Sequence, residues 1–346
     1  MNRNRIEPPF VVALDVGSSS IRASVFDAAG QAVPGLHSVL EHRVHSTPDG
    51  GAELDPDGVV TGVVHCLARL ADRPAFRRCR PRVLGVSCSM FMHTLVGANA
   101  GERAITPLYM WSDTRSRSAL ARAARPLDAE AVHQRTGCPL HTSYPLAKLI
   151  WLRRSAPRLF RRCRFWLSMG DYLHLRLLGR RTLSYSMASG SGLLAFRKLQ
   201  WDAPMLAAAG VEPGQLGELA DFDHRSLGLR PEFRRTLEAF AEVPWFPAMA
   251  DGACSNLGSG CVDARQFALN LGTSAAMRVI DARRSGRVPD GLLILLQNPL
   301  FRRWIRCRRD LKSWRCIARA HSLVRSFLFL LVFASFRCCF LRFPDP

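Results

Sequence analysis

Ala13-Leu14-Asp15-Val16-Gly17-Ser18-Ser19, near the start of the chain, is echoed far downstream by Ala268-Leu269-Asn270-Leu271-Gly272-Thr273-Ser274. Phe10 to Leu14 is an apolar run of strand length, and the polar turn from Asp15 to Ser20 stops it. Ile21 to Phe26 then alternates as a second strand before the turn Ala28-Ala29-Gly30. The downstream copy also follows apolar residues and leads into an Arg-containing extended stretch, so two units open as strand, tight polar turn, strand. A duplicated unit of this kind sets two hydroxyl- and amide-rich turns on opposite walls of one cleft, where both face the phosphates of a single nucleotide. Seven small residues also match by chance, and an ordinary hairpin turn uses the same letters.

Outward from these turns, strands alternate with helices. Asp55-Pro56-Asp57 starts a helix over Val59 to Leu70, and Arg82 to Ser87 is a buried strand leading to Met92-His93. Lys148 to Arg154 and Leu159 to Leu178 carry apolar residues at helical spacing. The alternation predicts a layered α/β fold. With 346 residues and 48% hydrophobic content the chain is long enough for two domains with sizeable cores.

The formal charge of +20 raises a nucleic-acid or membrane-surface reading. Only Lys148, Lys198 and Lys312 are lysines among the 48 basic residues, and the arginines are scattered rather than clustered, as a GC-rich gene encodes them. Nucleic acid is therefore not the expected partner. The 11 cysteines form no C-x-x-C pair and no framework spacing, which points to buried free thiols in a reducing compartment rather than to zinc or disulfides. The apolar run Phe10 to Leu14 is too short for a signal-peptide core, so the expected location is cytoplasmic.

After about Gly291 the composition changes. Residues 292–346 hold 11 basic residues against Asp310 and Asp345, with four cysteines and seven of the 19 phenylalanines. The apolar run Ser326 to Phe336 is too short to span a bilayer, so no membrane partner is expected. The segment reads as a tail translated out of frame.

Phosphoryl transfer needs a neutralised polyphosphate, an acceptor hydroxyl held in line, and a proton acceptor for it. Asp15, at a strand end before Gly17-Ser18-Ser19-Ser20, is suited to reach a magnesium ion while the turn meets phosphate oxygens. Asp251 lies in Met249-Ala250-Asp251-Gly252-Ala253-Cys254-Ser255-Asn256-Leu257-Gly258, where a carboxylate in a glycine-rich turn can accept a hydroxyl proton; an exposed loop is the alternative. Gly272-Thr273-Ser274 would supply the second phosphate-facing turn.

In this order the motifs resemble the FGGY carbohydrate kinases, over about Phe10 to Gly291. The resemblance rests on Leu14-Asp15-Val16-Gly17-Ser18-Ser19-Ser20, on Asp251-Gly252-Ala253 and on Leu271-Gly272-Thr273-Ser274. Met92-His93 resembles the family's sugar-binding wall, Pro107-Leu108-Tyr109-Met110-Trp111-Ser112-Asp113-Thr114-Arg115 is similar to its Trp-x-Asp-x-Arg segment, and Gly170-Asp171-Tyr172-Leu173 and Ser184 to Leu194 resemble its gluconate-phosphorylating branch.

The resemblance implies two ribonuclease-H-like, actin-like domains around a cleft: a sugar-binding and phosphate-loop domain over 1–243, and the start of an ATP-binding domain over 244–291. It implies ATP and Mg2+, with Asp251 as catalytic base, Asp15 and Asp251 at the metal, and Gly17, Ser18, Ser19, Ser20, Gly272, Thr273 and Ser274 around the phosphates. Met92, His93, Trp111, Asp113 and Arg115 would face a sugar or sugar acid, with gluconate the leading substrate and xylulose or another polyol the alternative. A carboxylate accepts hydrogen bonds from hydroxyls and a guanidinium clasps a carboxylate; Arg115 paired to Asp113 within a helix start is the structural alternative. A homodimer is compatible with the resemblance. Ala250 and Ala275 stand where the family usually has glycine. Family members continue past Gly291 with an adenosine-contacting glycine motif that residues 292–346 lack. The expectation is thus an incomplete second domain, and an inactive kinase fragment is the alternative to a working enzyme.

Overall fold

A computed structural model describes residues 6–263, 265–271, 275–280, 287–288, 293–294, 296 and 339–342. Of the expected tail, 292–346, nearly all therefore lies outside the described residues, as do Gly272, Thr273 and Ser274.

The first half is organised by a five-stranded sheet. Strands β1 (Phe10–Val16), β2 (Ser20–Phe26) and β3 (Ala32–Glu41) form an antiparallel meander. Helix α1 (Pro56–Ala71) crosses over to β4 (Val83–Met90), which pairs parallel to β1, and β5 (Met249–Ala250) pairs parallel to β4. The order is β3-β2-β1-β4-β5. The fully buried β1 reads as a continuous apolar run because both of its faces are covered.

Local chemistry accounts for α1. The Asp55 side chain accepts a hydrogen bond from the Asp57 amide at 3.1 Å, Pro56 occupies the first turn, and Val59, Val60, Val63, Val64, Leu67 and Leu70 are buried. Each of those side chains contributes about 1.5–3 kcal/mol through burial. A second apolar cluster gathers around α2 (Pro145–Ser155), against Tyr109, Phe160, Trp166 and Leu206.

The stretch Leu159 to Leu178 is not one helix. Pro157–Arg162 and Met169–Leu178 are helical, but Phe165–Leu167 is a strand paired with Val96–Ala98. Pairing with that upstream strand, where Trp166 lies opposite Gly97 and Leu167 opposite Val96, overrides the helical spacing. Every residue of Met169–Leu178 is buried, so spacing there marks no single face.

Beyond β5, helix α3 (Asp251–Gly258) leads to the hairpin β6 (Gln266–Leu271) and β7 (Ala275–Val279), with Leu271 opposite Ala275. Residues 339–342 pair antiparallel with β6. The sequence echo thus corresponds to two antiparallel strand pairs, β1–β2 and β6–β7.

Candidate active site

The sheet brings the two expected carboxylates together. Asp15, next to last in β1, lies opposite Ser89 of β4, and Ser89 is opposite Met249 of β5, so Asp15 and Asp251 emerge at the carboxyl ends of two parallel strands flanking β4. Crevices outside the carboxyl ends of strands are where open α/β sheets bind ligands. Asp251 is the first residue of α3, not part of a loop, and its Oδ1 accepts the Gly252 amide at 2.6 Å. Ala250 is buried in extended conformation, φ −60° and ψ 131°, so its methyl group introduces no backbone strain.

Burial pushes the Asp251 carboxyl up, and the Asp15 charge adds to the rise; Arg278 and the Gly252 amide pull it back. Burial also raises Asp15, against the pull of Arg22, whose Nη1 lies 3.1 Å from Asp15 Oδ2. Two buried carboxylates, the charge of one raising the proton affinity of the other, suit a divalent cation, which would relieve the burial of both. Asp15 and Asp251 are the residues that would hold Mg2+. No cluster of three or more His, Cys, Asp or Glu residues able to hold a metal occurs among the described residues.

The turn after Asp15 is tight and presented to solvent. Gly17 donates its amide to the Ser20 carbonyl at 2.9 Å, Ser18 and Ser19 are exposed, and Ser20 is buried at the start of β2. His42 clamps this turn: its Nε2 is 2.9 Å from the Gly17 carbonyl and its amide donates to the Ser19 carbonyl at 3.0 Å. Sequence spacing gave no sign of His42, because it arrives from the end of β3. The second turn, Gly272-Thr273-Ser274, lies outside the described residues.

Past the end of β4, the Phe91 amide donates to the Val16 carbonyl at 3.1 Å, which sets Met92 and His93 beside the first turn. His93 has φ +62°, a conformation side chains seldom adopt, and three contacts hold it there. Its Nδ1 is 2.6 Å from the Gly190 carbonyl, its ring meets Tyr144 edge-on at 5.0 Å, and its own carbonyl accepts Lys148 Nζ at 3.1 Å. Burial lowers the His93 pKa to about 4, so the ring is neutral at physiological pH. Gly190 follows the helix Tyr185–Ser189; a Cβ there would sit 2.4 Å from Met92 Cε and 2.8 Å from His93 Cε1, so glycine is needed for this contact. Gly190, within the stretch Ser184 to Leu194, thus packs against Met92 and His93.

Lys148, on α2, was not singled out by the sequence. Its side chain is fully buried and donates to the carbonyls of His93, Thr142 at 3.4 Å, and Ser143. Burial lowers its pKa to about 7, while the Asp113 charge opposes the shift.

Trp111 is 40% exposed, and Asp113 and Arg115 are tied to each other. Asp113 accepts the Ala52 amide at 3.2 Å, the Arg115 amide at 3.0 Å and Arg115 Nε at 3.1 Å. Arg115 Nη2 reaches both Asp113 and Glu53, and the guanidinium stacks between Tyr109 at 5.4 Å and Trp151 at 4.9 Å. Burial would lower its pKa, but these two carboxylates hold it above its ordinary value. The pairing offered above as the structural alternative is therefore present, and Glu53 joins it. Cys66, Cys79, Cys88, Cys138, Cys163, Cys254 and Cys261 are buried free thiols.

The chain belongs to the FGGY family of carbohydrate kinases: residues 10–258 match the N-terminal domain of that family. Gluconokinase of Bacillus subtilis (strain 168) is 26% identical over 271 residues, covering 78% of this chain and 52% of that protein. Xylulose kinase of Escherichia coli (strain K12) is 28% identical over 266 residues, covering 76% and 52%. Among solved structures, gluconate kinase from Lactobacillus acidophilus superposes with a TM-score of 0.73 at 26% identity, covering 79% of this chain and 54% of that one. Ligand-bound xylulose kinase from the same organism also gives 0.73, at 25% identity, covering 80% and 55%. The chain spans about half the length of the curated relatives it matches. No helix among the described residues is long and apolar enough to cross a membrane.

Proposed function

We propose that this chain carries the sugar wall, base and first phosphate turn of an ATP-dependent kinase acting on a primary hydroxyl of a sugar or sugar acid, with gluconate the leading substrate. The observation that carries this reading is the placement of Asp15 and Asp251 at the carboxyl ends of β1 and β5, beside the exposed Ser18-Ser19 turn and the Met92-His93 wall. Gluconokinase and gluconate kinase relatives favour the sugar acid.

In the reaction, the substrate hydroxyl oxygen forms a bond to the γ-phosphorus of ATP, the bond from that phosphorus to the β-phosphate oxygen breaks, and ADP leaves. The hydroxyl proton passes to Asp251, whose carboxylate is oriented by the Gly252 amide. Gly17, Ser18, Ser19 and Ser20 meet phosphate oxygens at the first turn; Gly272, Thr273 and Ser274 do so at the second. Mg2+ supplies neutralisation of phosphate charge. Met92, His93, Trp111 and Asp113 line the sugar side, where the buried neutral His93 contributes a fixed ring rather than a charge. In this reading the sugar-binding domain covers 1–243 and the ATP-binding domain begins near 244.

In a second reading the chain binds sugar without turning over ATP. The test is an ADP-release assay on the purified full chain with gluconate, xylulose and glycerol, alongside calorimetric sugar binding. Gluconate-dependent ADP release supports the kinase, binding without release supports the second reading, and neither signal removes both.

A further inference from the structure

A turn that receives phosphate must show its amides to the anion and turn its carbonyls, which repel it, elsewhere. In a trans peptide the carbonyl of one residue and the amide of the next point in opposite directions, so whatever holds the carbonyls decides where the amides face. At the first turn that holder is His42. Its Nε2 lies 2.9 Å from the Gly17 carbonyl, and its backbone amide donates to the Ser19 carbonyl at 3.0 Å. A carbonyl oxygen only accepts, so Nε2 carries the ring proton. Burial lowers the His42 pKa and keeps the ring neutral with Nδ1 bare, and that buried Nδ1 has no hydrogen-bond partner among the described residues.

With the Gly17 and Ser19 carbonyls drawn to His42, the Ser18 and Ser20 amides of the same two peptide planes face the other way. The Ser20 carbonyl is taken by the Gly17 amide at 2.9 Å, and the Ser18 backbone also lies in hydrogen-bond reach of the His42 ring. His42 is itself fixed from outside the turn. It follows β3, the edge strand of the sheet, where Glu41 pairs with Ser20 and Leu40 with Ile21. Leu40 and Ile21 press on α1 at Gly62, where a Cβ would stand 2.6 Å from Ile21 Cδ1 and 3.1 Å from Leu40 Cδ2. This close approach of helix and sheet anchors the strand that carries the ring, while Ser18 and Ser19 stay exposed.

We propose that His42 is a positioning residue for phosphate binding: it holds the Gly17 and Ser19 carbonyls away from the ligand and so aims the Ser18 and Ser20 amides at phosphate oxygens. This rests on the kinase reading above and deepens it, since it assigns the shape of the phosphate turn to a side chain 25 residues beyond Gly17.

The test uses the full chain as wild type, His42→Ala and His42→Gln, whose side-chain amide can donate to the Gly17 carbonyl in place of Nε2. Calorimetric titrations with ATP and Mg2+, and separately with gluconate, are paired with amide hydrogen exchange of the peptide covering residues 16–20. The expected result in His42→Ala is a loss of ATP affinity of roughly three- to tenfold with gluconate affinity kept, and faster exchange in that peptide. His42→Gln should restore both. Faster exchange with wild-type ATP affinity overturns the inference, because His42 would then hold a turn that does not serve phosphate. Unaltered exchange overturns it whatever the ATP affinity, and so does an equal loss for both ligands, which marks a structural role. If wild-type protein binds no ATP, the kinase reading fails and takes this inference with it.

Discussion

Asp15 and Asp251 leave the sheet from strands on either side of β4, and the charge of the first raises the proton affinity of the second. Replacing Asp251 by Asn removes the proton acceptor but preserves the shape of the α3 start and its contact with Gly252. Turnover is expected to fall by at least about a hundredfold with an unchanged thermal unfolding midpoint. Unchanged ADP release in Asp251→Asn would take Asp251 out of the base role.

Gly190→Ala drives a methyl group into Met92 Cε and the His93 ring. The wall must shift by several tenths of an ångström, so sugar affinity is expected to drop about tenfold or more, as small misplacements do in such sites. Calorimetric sugar binding of the variant reads this directly, and a wild-type dissociation constant would mean the wall does not contact sugar.

Arg115→Met leaves Asp113, 1% exposed, without its cation. Breaking a buried pair from one side costs about 3–5 kcal/mol, so a urea melt should show a large loss of stability. Arg115→Lys is expected to recover little, because an ammonium cannot span Asp113 and Glu53 while stacking between Tyr109 and Trp151.

Asp171 is buried at the first turn of the helix Met169–Leu178, bonded to Ser168 Oγ, with its Oδ2 and Trp166 Nε1 unpartnered beside a cavity of about 30 Å³. Burial raises its pKa from 3.8 to about 7. Between those values the unfolded chain has shed a proton that the folded chain keeps, so this contribution to stability is full below about pH 4 and lost as pH rises towards 7. Asp171→Asn, which cannot ionise, should flatten that decline. Urea midpoints at pH 5 and pH 8 measure it, and an unaltered slope in the variant would place the titration elsewhere.

Lys148→Met removes the donor from three part-buried carbonyls, at about 1 kcal/mol each, and frees the left-handed turn at His93. The expected outcome is a lower thermal midpoint together with weaker sugar binding. Loss of stability with intact sugar affinity would confine Lys148 to a structural role.

The parts of the site that could be read from sequence are those where chemistry is local to the chain. Asp15 before its serines and Asp251 before its glycine announce themselves because strand end, turn and acid are contiguous. The supporting residues did not, since each comes from a distant element: His42 from the end of β3, Glu53 from a short strand beside Tyr109, and Lys148 from α2. A lysine pointing inward from a helix looks the same in sequence as one pointing outward. Arg115 illustrates the converse, because its fork suits a carboxylate, and two carboxylates of the chain itself take it up. The strand Phe165–Leu167 was hidden because its ladder partner, Val96–Ala98, lies well upstream.

The sheet order also sets a schedule. Strand β4 is complete at Met90, but β5 at Met249 is made about 160 residues later. At about 5–20 residues per second, a ribosome leaves the free edge of β4 waiting on the order of ten seconds for the strand that carries the base. During that interval the nascent chain presents an open row of amides and carbonyls next to the future site, a template for any other strand until Met249 arrives.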